Sequence, residues 1–396
     1  MKPVSTAVSK YTMKDIAFWR MAFGLALASF FIFASLYAVQ PLLPLFSKQF
    51  DISPAAASLT QSLPVLSLTI GLILFGFLSD RLGRVRLMQL CFLVSMILFL
   101  LIPATESFTV LLAFRFIQGF ALAGLPAAAL AYISEEVERA SAGFAISVYI
   151  AGNALGGLAG RVVTGYVAGT YDWRLAVYMI AGTGLFIFFA LLFLLPKSRH
   201  FQPAQASFSA DIHHFIAHLR NRRLLPLFGL AFILQLAFTG TWTYIPFYLL
   251  GPPFSLSLST VSFFYLAYLF GVIGAPVGGY LTKRFGIKKV MFSGIFICLF
   301  GVILTTVSTL IFVAAALSFV CFGFFIAHSM ASAMIGQAAG HHKAGASGVY
   351  FVSYYLGVAA GGTMLGPLWT TYGWKGIIAV TFGLPVIYVL FLMKSE

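Results

Sequence analysis

Ionisable side chains that interrupt long apolar stretches are the residues of this sequence best suited to chemistry. Arg115, Arg161 and His328 each lie well inside such a stretch. A charge at the centre of a bilayer costs roughly 2.5–3.5 kcal/mol even on insertion-based scales, so these side chains must face protein or water. A guanidinium there binds carbonyl oxygens or anions. An imidazole, whose ordinary pKa is about 6.5, carries a proton.

Each of these side chains has two interpretations. Arg115 either takes part in ion coupling or satisfies backbone carbonyls and Gln118 across a helix contact. Arg161 either binds an anionic part of a substrate or reaches outward to pair with Asp172. His328 either carries a proton or is hydrogen-bonded within a helix contact. The sequence leaves all three choices open.

The acidic residues are placed differently from these arginines. All ten fall in loops, tails or helix ends: Asp15, Asp51, Asp80, Glu106, Glu135, Glu136, Glu138, Asp172, Asp211 and Glu396. A transporter of cations usually offers its cargo a buried acid, and proton coupling commonly uses one too. A dedicated cation site is therefore disfavoured, and protonation is expected on a helix-end acid or on His328.

A second charged cluster, Gly76–Leu87, separates two apolar stretches that are each long enough to span a bilayer. Its charges predict a short hairpin at the membrane surface. Asp80 is expected just beyond the end of the preceding helix, where a carboxylate meets the N–H groups of a neighbouring helix start. Gly83 permits a very short turn. Arg81 and Arg84 are the cations available for ion pairs.

The amino-acid composition indicates what kind of protein holds these residues. The chain is 61% hydrophobic and 9% charged, with a mean hydropathy of +0.98, which indicates an integral membrane protein. Its net charge of +14 is spread over short loops, so nucleic-acid binding is not expected. No cluster of catalytic acids, histidines or serines lies at membrane depth, and we expect no enzyme activity.

About twelve apolar segments have the length of membrane helices. They run over 17–46, 55–78, 87–103, 108–132, 142–169, 174–195, 224–250, 258–281, 289–307, 309–338, 345–371 and 374–393. Most lysines and arginines then fall on the side of the N-terminus, and only Lys48, Arg174 and Lys375 fall on the other. This asymmetry predicts that both termini are cytoplasmic.

The sequence also contains an internal repeat. Residues 1–195 and 224–396 form two six-helix bundles in this prediction, joined by a cytoplasmic linker at 196–223. The linker contains an amphipathic stretch, Asp211–Leu219, which explains His213, His214 and His218 more simply than a metal site does. Three patterns recur in order: Gly76-x-Leu78-x-Asp80-Arg81-x-Gly83 with Gly279-x-Leu281-x-Lys283-Arg284-x-Gly286, Gly152-x-x-x-Gly156-Gly157 with Gly357-x-x-x-Gly361-Gly362, and Trp173-Arg174 with Trp374-Lys375. Such repeats place a substrate site near the midplane, where the halves meet.

The repeated loop resembles the motif G-x-L-x-D-R-x-G-R of the major facilitator superfamily, and the likeness covers essentially the whole chain. The segment Arg115-Phe116-Ile117-Gln118-Gly119 resembles the R-x-x-Q-G motif of the bacterial twelve-helix drug/proton antiporters. The segment from Gly152 to Gly160 is similar to their motif G-x-x-x-G-P-x-x-G, with Gly157 in place of proline. In the second loop Lys283 replaces the acid, so only the first copy makes acid-dependent contacts.

The resemblance implies roles for particular residues. Asp80 would meet the start of helix 11, around 344–350, and Arg81 or Arg84 would pair with Glu135 or Glu136, which favours the outward-open state. Arg115, Gln118, Gly119 and His328 would be the coupling candidates. Helices 1, 4, 7 and 10 would line the cavity, with Tyr37, Gln40, Gln235 and Trp242 as substrate candidates beside Arg161. Close approach of the halves would use Gly152, Gly156, Gly157, Gly160, Gly357, Gly361 and Gly362.

These expectations describe a secondary transporter that works by alternating access. Proton-coupled efflux of small amphipathic or neutral organic compounds is the favoured function, with the proton as coupling ion, no cofactor and no metal. The alternatives are a carrier of sugars, amino acids or other metabolites and, from another class, a lipid flippase or a non-transporting sensor. We expect a monomer in a bacterial-type inner or plasma membrane.

Overall fold

The computed structural model describes residues 9–201, 219, 221–338 and 343–395. Throughout these residues the regular structure is helical, and the only strand-like feature is an isolated bridge between Tyr11 and Val137. The linker stretch Asp211–Leu219, apart from residue 219, and the histidines at 213, 214 and 218 lie outside the described residues.

Twelve long helices make up the described chain. They are α1 (Ile16–Gln49), α2 (Pro54–Leu82), α3 (Arg84–Ala104), α4 (Phe108–Glu136), α5 (Arg139–Thr170), α6 (Trp173–Leu194), α7 (Leu225–Leu250), α8 (Leu258–Phe285), α9 (Ile287–Leu304), α10 (Leu310–Ala338), α11 (Lys343–Thr363) and α12 (Gly366–Ser395). Eleven are long and apolar enough to cross a membrane, and the remaining one, α11, is a 21-residue helix rich in glycine, alanine and tyrosine. The predicted all-α membrane fold is confirmed.

Some of these helices are interrupted. A 3-10 turn at Gln40–Leu42 breaks α1, and another at Tyr265–Ala267 breaks α8. Helix α4 is interrupted at Ala123, between its Phe108–Leu122 and Gly124–Glu136 parts. Such breaks leave backbone carbonyls without partners inside the helix.

The charged loop is a one-residue turn. Helix α2 ends at Leu82 and α3 begins at Arg84, with Gly83 between them at φ 94°. Gly286 makes the same turn between α8 and α9 at φ 81°, so the sequence echo marks an equivalent turn in the second half. Positive φ favours glycine at both places. The expected position of Asp80 beyond the helix is wrong, because Asp80 lies in the last turn of α2 itself.

The chain folds into two compact units. Unit 1 contains the described residues of 1–37, 67–160 and 177–206, and unit 2 contains those of 38–66, 161–176 and 207–396. Unit 2 thus combines the end of α1, the start of α2 and the end of α5 with the helices of the second half. The division into bundles at 1–195 and 224–396 stays a prediction.

Glycines set the close helix contacts within unit 1. Gly152, Gly156 and Gly160 lie on one face of α5, and a Cβ at any of them would overlap the backbone of α1 at Ala26, Phe30 or Ala34. Both helices belong to the first half. Gly157, the neighbour of Gly156, is also buried.

The second half repeats this packing within unit 2. Gly357 and Gly361 of α11 lie against the backbone of α7 at Phe232 and Leu236. The prediction that the glycine faces of α5 and α11 form the surface between the halves is therefore wrong for these positions, since each packs inside its own half. Gly362 is the exception, because a Cβ there would lie 2.5 Å from Ser62 Oγ of α2.

Candidate functional site

The charged end of α2, α3 and α4 is organised around Arg84. Its Nη2 lies 2.7 Å from Glu135 Oε1, and its Nε donates to the same oxygen at 3.2 Å. Its Nη1 donates to Ser79 Oγ at 2.6 Å and also pairs with Asp80. The side chain of Arg84 is 9% exposed, against 40% for Asp80. Of the two predicted arginines, Arg84 thus holds Glu135, and it orients Asp80 as well. The gating role of Gly76, Asp80 and Arg81 stays a prediction.

Glu136 has different partners from those expected. Its side chain is fully buried, and its Oε1 accepts from the backbone N–H groups of Arg199 at 2.7 Å and His200 at 2.9 Å. Its Oε2 lies 3.1 Å from His200 Nδ1. Of the two acids expected for the loop arginines, Glu135 pairs with Arg84, whereas Glu136 anchors the start of the linker.

The segment before α1 joins the same anchor. Tyr11 N–H donates to the Glu136 carbonyl at 2.8 Å, and Glu138 N–H donates to the Tyr11 carbonyl at 2.9 Å. The Arg199 guanidinium lies 4.9 Å from the centre of the Tyr11 ring. Burial raises the pKa of the Tyr11 hydroxyl, although the charge of Arg199 acts in the opposite direction. Backbone pairs of this kind leave no side-chain pattern by which the sequence could reveal them.

Arg115 is fully buried between α4 and α1. Its Nη1 donates to the Ser35 carbonyl at 3.0 Å and to Gln118 Oε1 at 2.6 Å, and its Nη2 donates to the Leu36 carbonyl at 2.8 Å. These carbonyls belong to the last turn before the break in α1, where helical partners are missing. These contacts agree with the interpretation in which Arg115 satisfies backbone carbonyls and Gln118 across a helix contact. Gln118 and Gly119 are buried beside it, and their part in coupling stays a prediction.

Arg161 of α5 is also buried, at 4% exposure. Its Nε donates to Gln40 Oε1 at 2.6 Å, and its Cζ lies 4.4 Å from the centre of the Tyr268 ring and 5.9 Å from that of Tyr265. Asp172 lies beyond the end of α5 at Thr170. The described partner of the Arg161 Nε is thus Gln40 and not Asp172.

An aromatic cluster lies beside this arginine in unit 2. It consists of Phe238, Trp242, Tyr265, Tyr268 and Phe324, from α7, α8 and α10. The Trp242 ring stacks on Tyr265 at 5.2 Å between centroids and lies 4.6 Å from Tyr268, and Phe238 stacks on Phe324 at 4.0 Å. The sequence prediction missed the two tyrosines of α8, because the family resemblance directs attention to helices 1, 4, 7 and 10.

His328 extends the aromatic cluster towards α11. Its ring is parallel to Phe324 at 5.7 Å, and its Nδ1 lies 2.9 Å from the hydroxyl of Tyr350. One turn from Phe238, Gln235 Nε2 donates to Thr239 Oγ1 at 3.0 Å, while its buried Oε1 has no hydrogen-bond partner among the described residues.

Four of the predicted cavity residues lie in unit 2. Arg161 links Gln40 to the aromatic cluster, and Gln235 lies on the same helix as Trp242. Tyr37 belongs to unit 1, at the end of the first part of α1, with its ring 6.3 Å from that of Phe33. Within unit 2, Arg161 contacts Gln40 directly and is linked to Trp242 through the rings of Tyr265 and Tyr268.

First-half and second-half helices also touch within unit 2. A Cβ on Gly165 of α5 would lie 2.7 Å from the Cβ of Ser262 of α8, and one on Gly169 would overlap the backbone at Ser259. We call this contact the α5–α8 seam. The seam begins one turn beyond Arg161.

Comparisons with known proteins agree with this architecture. The chain is 36% identical to the uncharacterized MFS-type transporter YybF of Bacillus subtilis over 93% of this chain and 92% of the relative. It is 37% identical to the inner membrane transport protein YnfM of Escherichia coli over 94% of this chain and 89% of the relative. The crystal structure of the nucleoside transporter NupG superposes with a TM-score of 0.79 at 16% identity, covering 94% of this chain and 98% of NupG.

The family model described as Major Facilitator Superfamily matches residues 25–362 and again 253–395. These matches include the charged turn at Gly83, Arg115, Arg161 and the aromatic cluster. The relatives named above are transporters, not enzymes. The chain therefore belongs to the Major Facilitator Superfamily and is a multi-pass membrane transporter of small molecules.

Proposed function

We propose that the chain exports small amphipathic organic compounds in exchange for protons. The observation that carries this proposal is the aromatic cluster of unit 2, in which large rings from α7, α8 and α10 meet a few polar groups. Sites of this composition bind molecules with an apolar body and a small number of polar atoms. The rings of Trp242 and Phe238 supply the apolar surface, and Gln235 and Arg161 supply the polar groups.

The α5–α8 seam is proposed to be one of the two closures that alternating access requires. Gly165 and Ser262 belong to different halves of the chain, and their close contact closes a path between α5 and α8. A substrate that crosses on this side requires the seam to separate. The opposite closure is assigned to the loop of Asp80, whose carboxylate Arg84 holds in place.

Three further features complete the proposal. Both termini are placed in the cytoplasm because most of the basic loop residues fall on their side. Efflux rests on the resemblance of Arg115-Phe116-Ile117-Gln118-Gly119 to the antiporter motif. His328 is the proposed proton carrier, because it touches both the aromatic cluster and Tyr350. The transporter is proposed to work as a monomer.

Flux in proteoliposomes tests the function. Purified protein would be reconstituted, loaded with a panel of amphipathic compounds, and assayed with and without an imposed pH gradient. Export that rises with the gradient supports proton exchange. Flux that ignores the gradient shows facilitated diffusion instead, and protein-free liposomes give the background.

A cross-link tests alternation in the same assay. Gly165→Cys combined with Ser262→Cys places two thiols across the α5–α8 seam. The Cβ atoms at these positions would lie 2.7 Å apart, and the helices must part by about 1 Å before oxidation joins the thiols, because a disulfide needs about 3.5–4.5 Å. The oxidised double variant is expected to lose flux and to recover it on reduction, while each single variant transports under both conditions. Full flux through the cross-linked protein would show that the seam does not open.

A further inference from the structure

We infer that the turn between α8 and α9 binds the headgroup of an anionic phospholipid, with Lys283, Arg284 and Lys289 as its phosphate contacts. We call these three residues the basic turn. Clusters of lysine and arginine at the ends of membrane helices attract anionic headgroups. The inference goes beyond the proposed function, since it concerns a lipid of the surrounding membrane and not the transported compound.

The turn at Gly286 brings the three cations together, because it is only one residue long. Lys283 and Arg284 lie in the last turn of α8, and Lys289 lies in the first turn of α9. All three side chains are exposed. With Lys288, this segment contains four basic residues among seven. Like charges this close repel one another, and an anion placed between them relieves the repulsion.

The second half of the chain supplies no acid to neutralise the basic turn. Residues 212–395 contain ten lysines and arginines but neither aspartate nor glutamate. Among the described residues, Lys283, Arg284 and Lys289 form no ion pair, since the ion pairs there all lie between Asp80 and His200. The counter-charge therefore needs a source outside residues 212–395.

The equivalent turn of the first half shows what the basic turn lacks. Beside Gly83, Arg84 binds Asp80 and, at 2.7 Å, Glu135. The repeat places Lys283 at the position of Asp80, and α10, the counterpart of α4, carries no acid. The first turn thus has carboxylates of its own, whereas the second does not. A headgroup phosphate at Lys283 would take the place of the missing carboxylate.

Exposed aromatic rings beside the cations favour a lipid over a soluble anion. Tyr280, within one turn of Lys283, is 76% exposed, and Phe285 is 49% exposed. The Arg284 guanidinium lies 5.3 Å from the centre of the Phe285 ring. Aromatic side chains are enriched where lipid headgroups meet the acyl chains. A phospholipid fits both features, because its phosphate meets the cations while its chains cover the rings.

Binding of two lipids with the same acyl chains tests the inference. Dioleoyl phosphatidylglycerol is anionic and dioleoyl phosphatidylcholine is zwitterionic. Each would be titrated against the purified transporter in detergent, and the bound lipid would be measured by native mass spectrometry. Each basic residue near an anionic headgroup strengthens binding about fivefold. Phosphatidylglycerol is therefore expected to bind about tenfold or more tightly than phosphatidylcholine. Equal binding of the two lipids overturns the inference.

Variants assign the preference to the basic turn. Lys283→Gln combined with Lys289→Gln is expected to weaken phosphatidylglycerol about tenfold or more, while phosphatidylcholine is unchanged. The control, Lys48→Gln combined with Lys375→Gln, removes two exposed charges elsewhere in unit 2 and is expected to keep the preference. Lys283→Asp copies the acid of the first turn and is expected to weaken phosphatidylglycerol as well. A preference that persists in the folded double variant, or that the control loses equally, overturns the inference.

Competition with glycerol phosphate separates a lipid from a soluble phosphate. Glycerol phosphate carries the phosphate of the headgroup without acyl chains, so it cannot cover the rings of Tyr280 and Phe285. At millimolar concentration it is expected to displace little phosphatidylglycerol. Complete displacement would show a site for soluble phosphates and overturn the lipid assignment. Because no flux is measured, the outcome does not depend on proton exchange.

Discussion

Replacing Gly156 by alanine probes the tightest helix contact of unit 1. A Cβ at this position would overlap the carbonyl oxygen and Cα of Phe30 in α1. Backbone atoms cannot rotate out of the way, so α5 and α1 must move apart. Overpacking of this kind costs about 1–3 kcal/mol. The higher helix propensity of alanine returns about 0.5–1 kcal/mol. We therefore expect Gly156→Ala to lower the free energy of unfolding by up to about 2.5 kcal/mol.

Gly143 supplies a matched control on the same helix. It lies in α5, is exposed, and a Cβ there would meet no atom within 4 Å. Gly143→Ala should thus keep only the propensity gain and raise the free energy of unfolding by up to about 1 kcal/mol. The two changes have opposite expected signs although their chemistry is identical.

Both variants and the unsubstituted protein would be unfolded with increasing concentrations of a denaturing detergent. Circular dichroism then gives the free energy of unfolding of each. Gly361→Ala repeats the test in the second half, where a Cβ would overlap the Leu236 carbonyl of α7. Equal stability of Gly156→Ala and Gly143→Ala would refute the close packing of α5 on α1. It would also restore the possibility that this glycine face serves the surface between the halves.

Three further changes address the charged turn and the proton. Glu135→Gln removes the charge opposite Arg84 and should lower the free energy of unfolding by about 1–2 kcal/mol in the same titration; an unchanged value would mean that the pair contributes nothing. Asp80→Asn should slow flux in proteoliposomes while membrane insertion is unchanged, and wild-type kinetics would remove its gating role. His328→Gln should flatten the pH profile of flux, and a preserved profile would place the proton on another group.

Much of this fold could be predicted because the membrane imposes simple rules. A helix that crosses lipid must satisfy its backbone internally and remain apolar over its length, so hydropathy alone locates it. The one-residue turn at Gly83 was predictable because charge and glycine had to fit between two spans. Its recurrence at Gly286 followed from the repeat. The pair of Arg84 and Glu135 followed from the family motif.

The choice of partners could not be predicted in the same way. A glycine face indicates that a helix packs closely on another helix, but it does not indicate which one. Gly156 and Gly361 each pack against a helix of their own half. Glu136 binds backbone N–H groups of Arg199 and His200. Backbone donors are present at nearly every residue, so no sequence pattern distinguishes the ones that a carboxylate will meet.

Arg115 and Arg161 show what residue type alone can predict about a buried side chain and what it cannot. Both lie in apolar helices. Burying the charge therefore costs a similar free energy in both cases, and both side chains need hydrogen-bond partners. Arg115 meets the Ser35 and Leu36 carbonyls where α1 breaks, so its hydrogen bonds complete the fold itself. Arg161 meets an amide and aromatic rings. The difference arises from the break in α1 at Gln40, which frees carbonyls for one arginine and brings an amide side chain to the other. A local interruption of one helix thus gives the two arginines different partners.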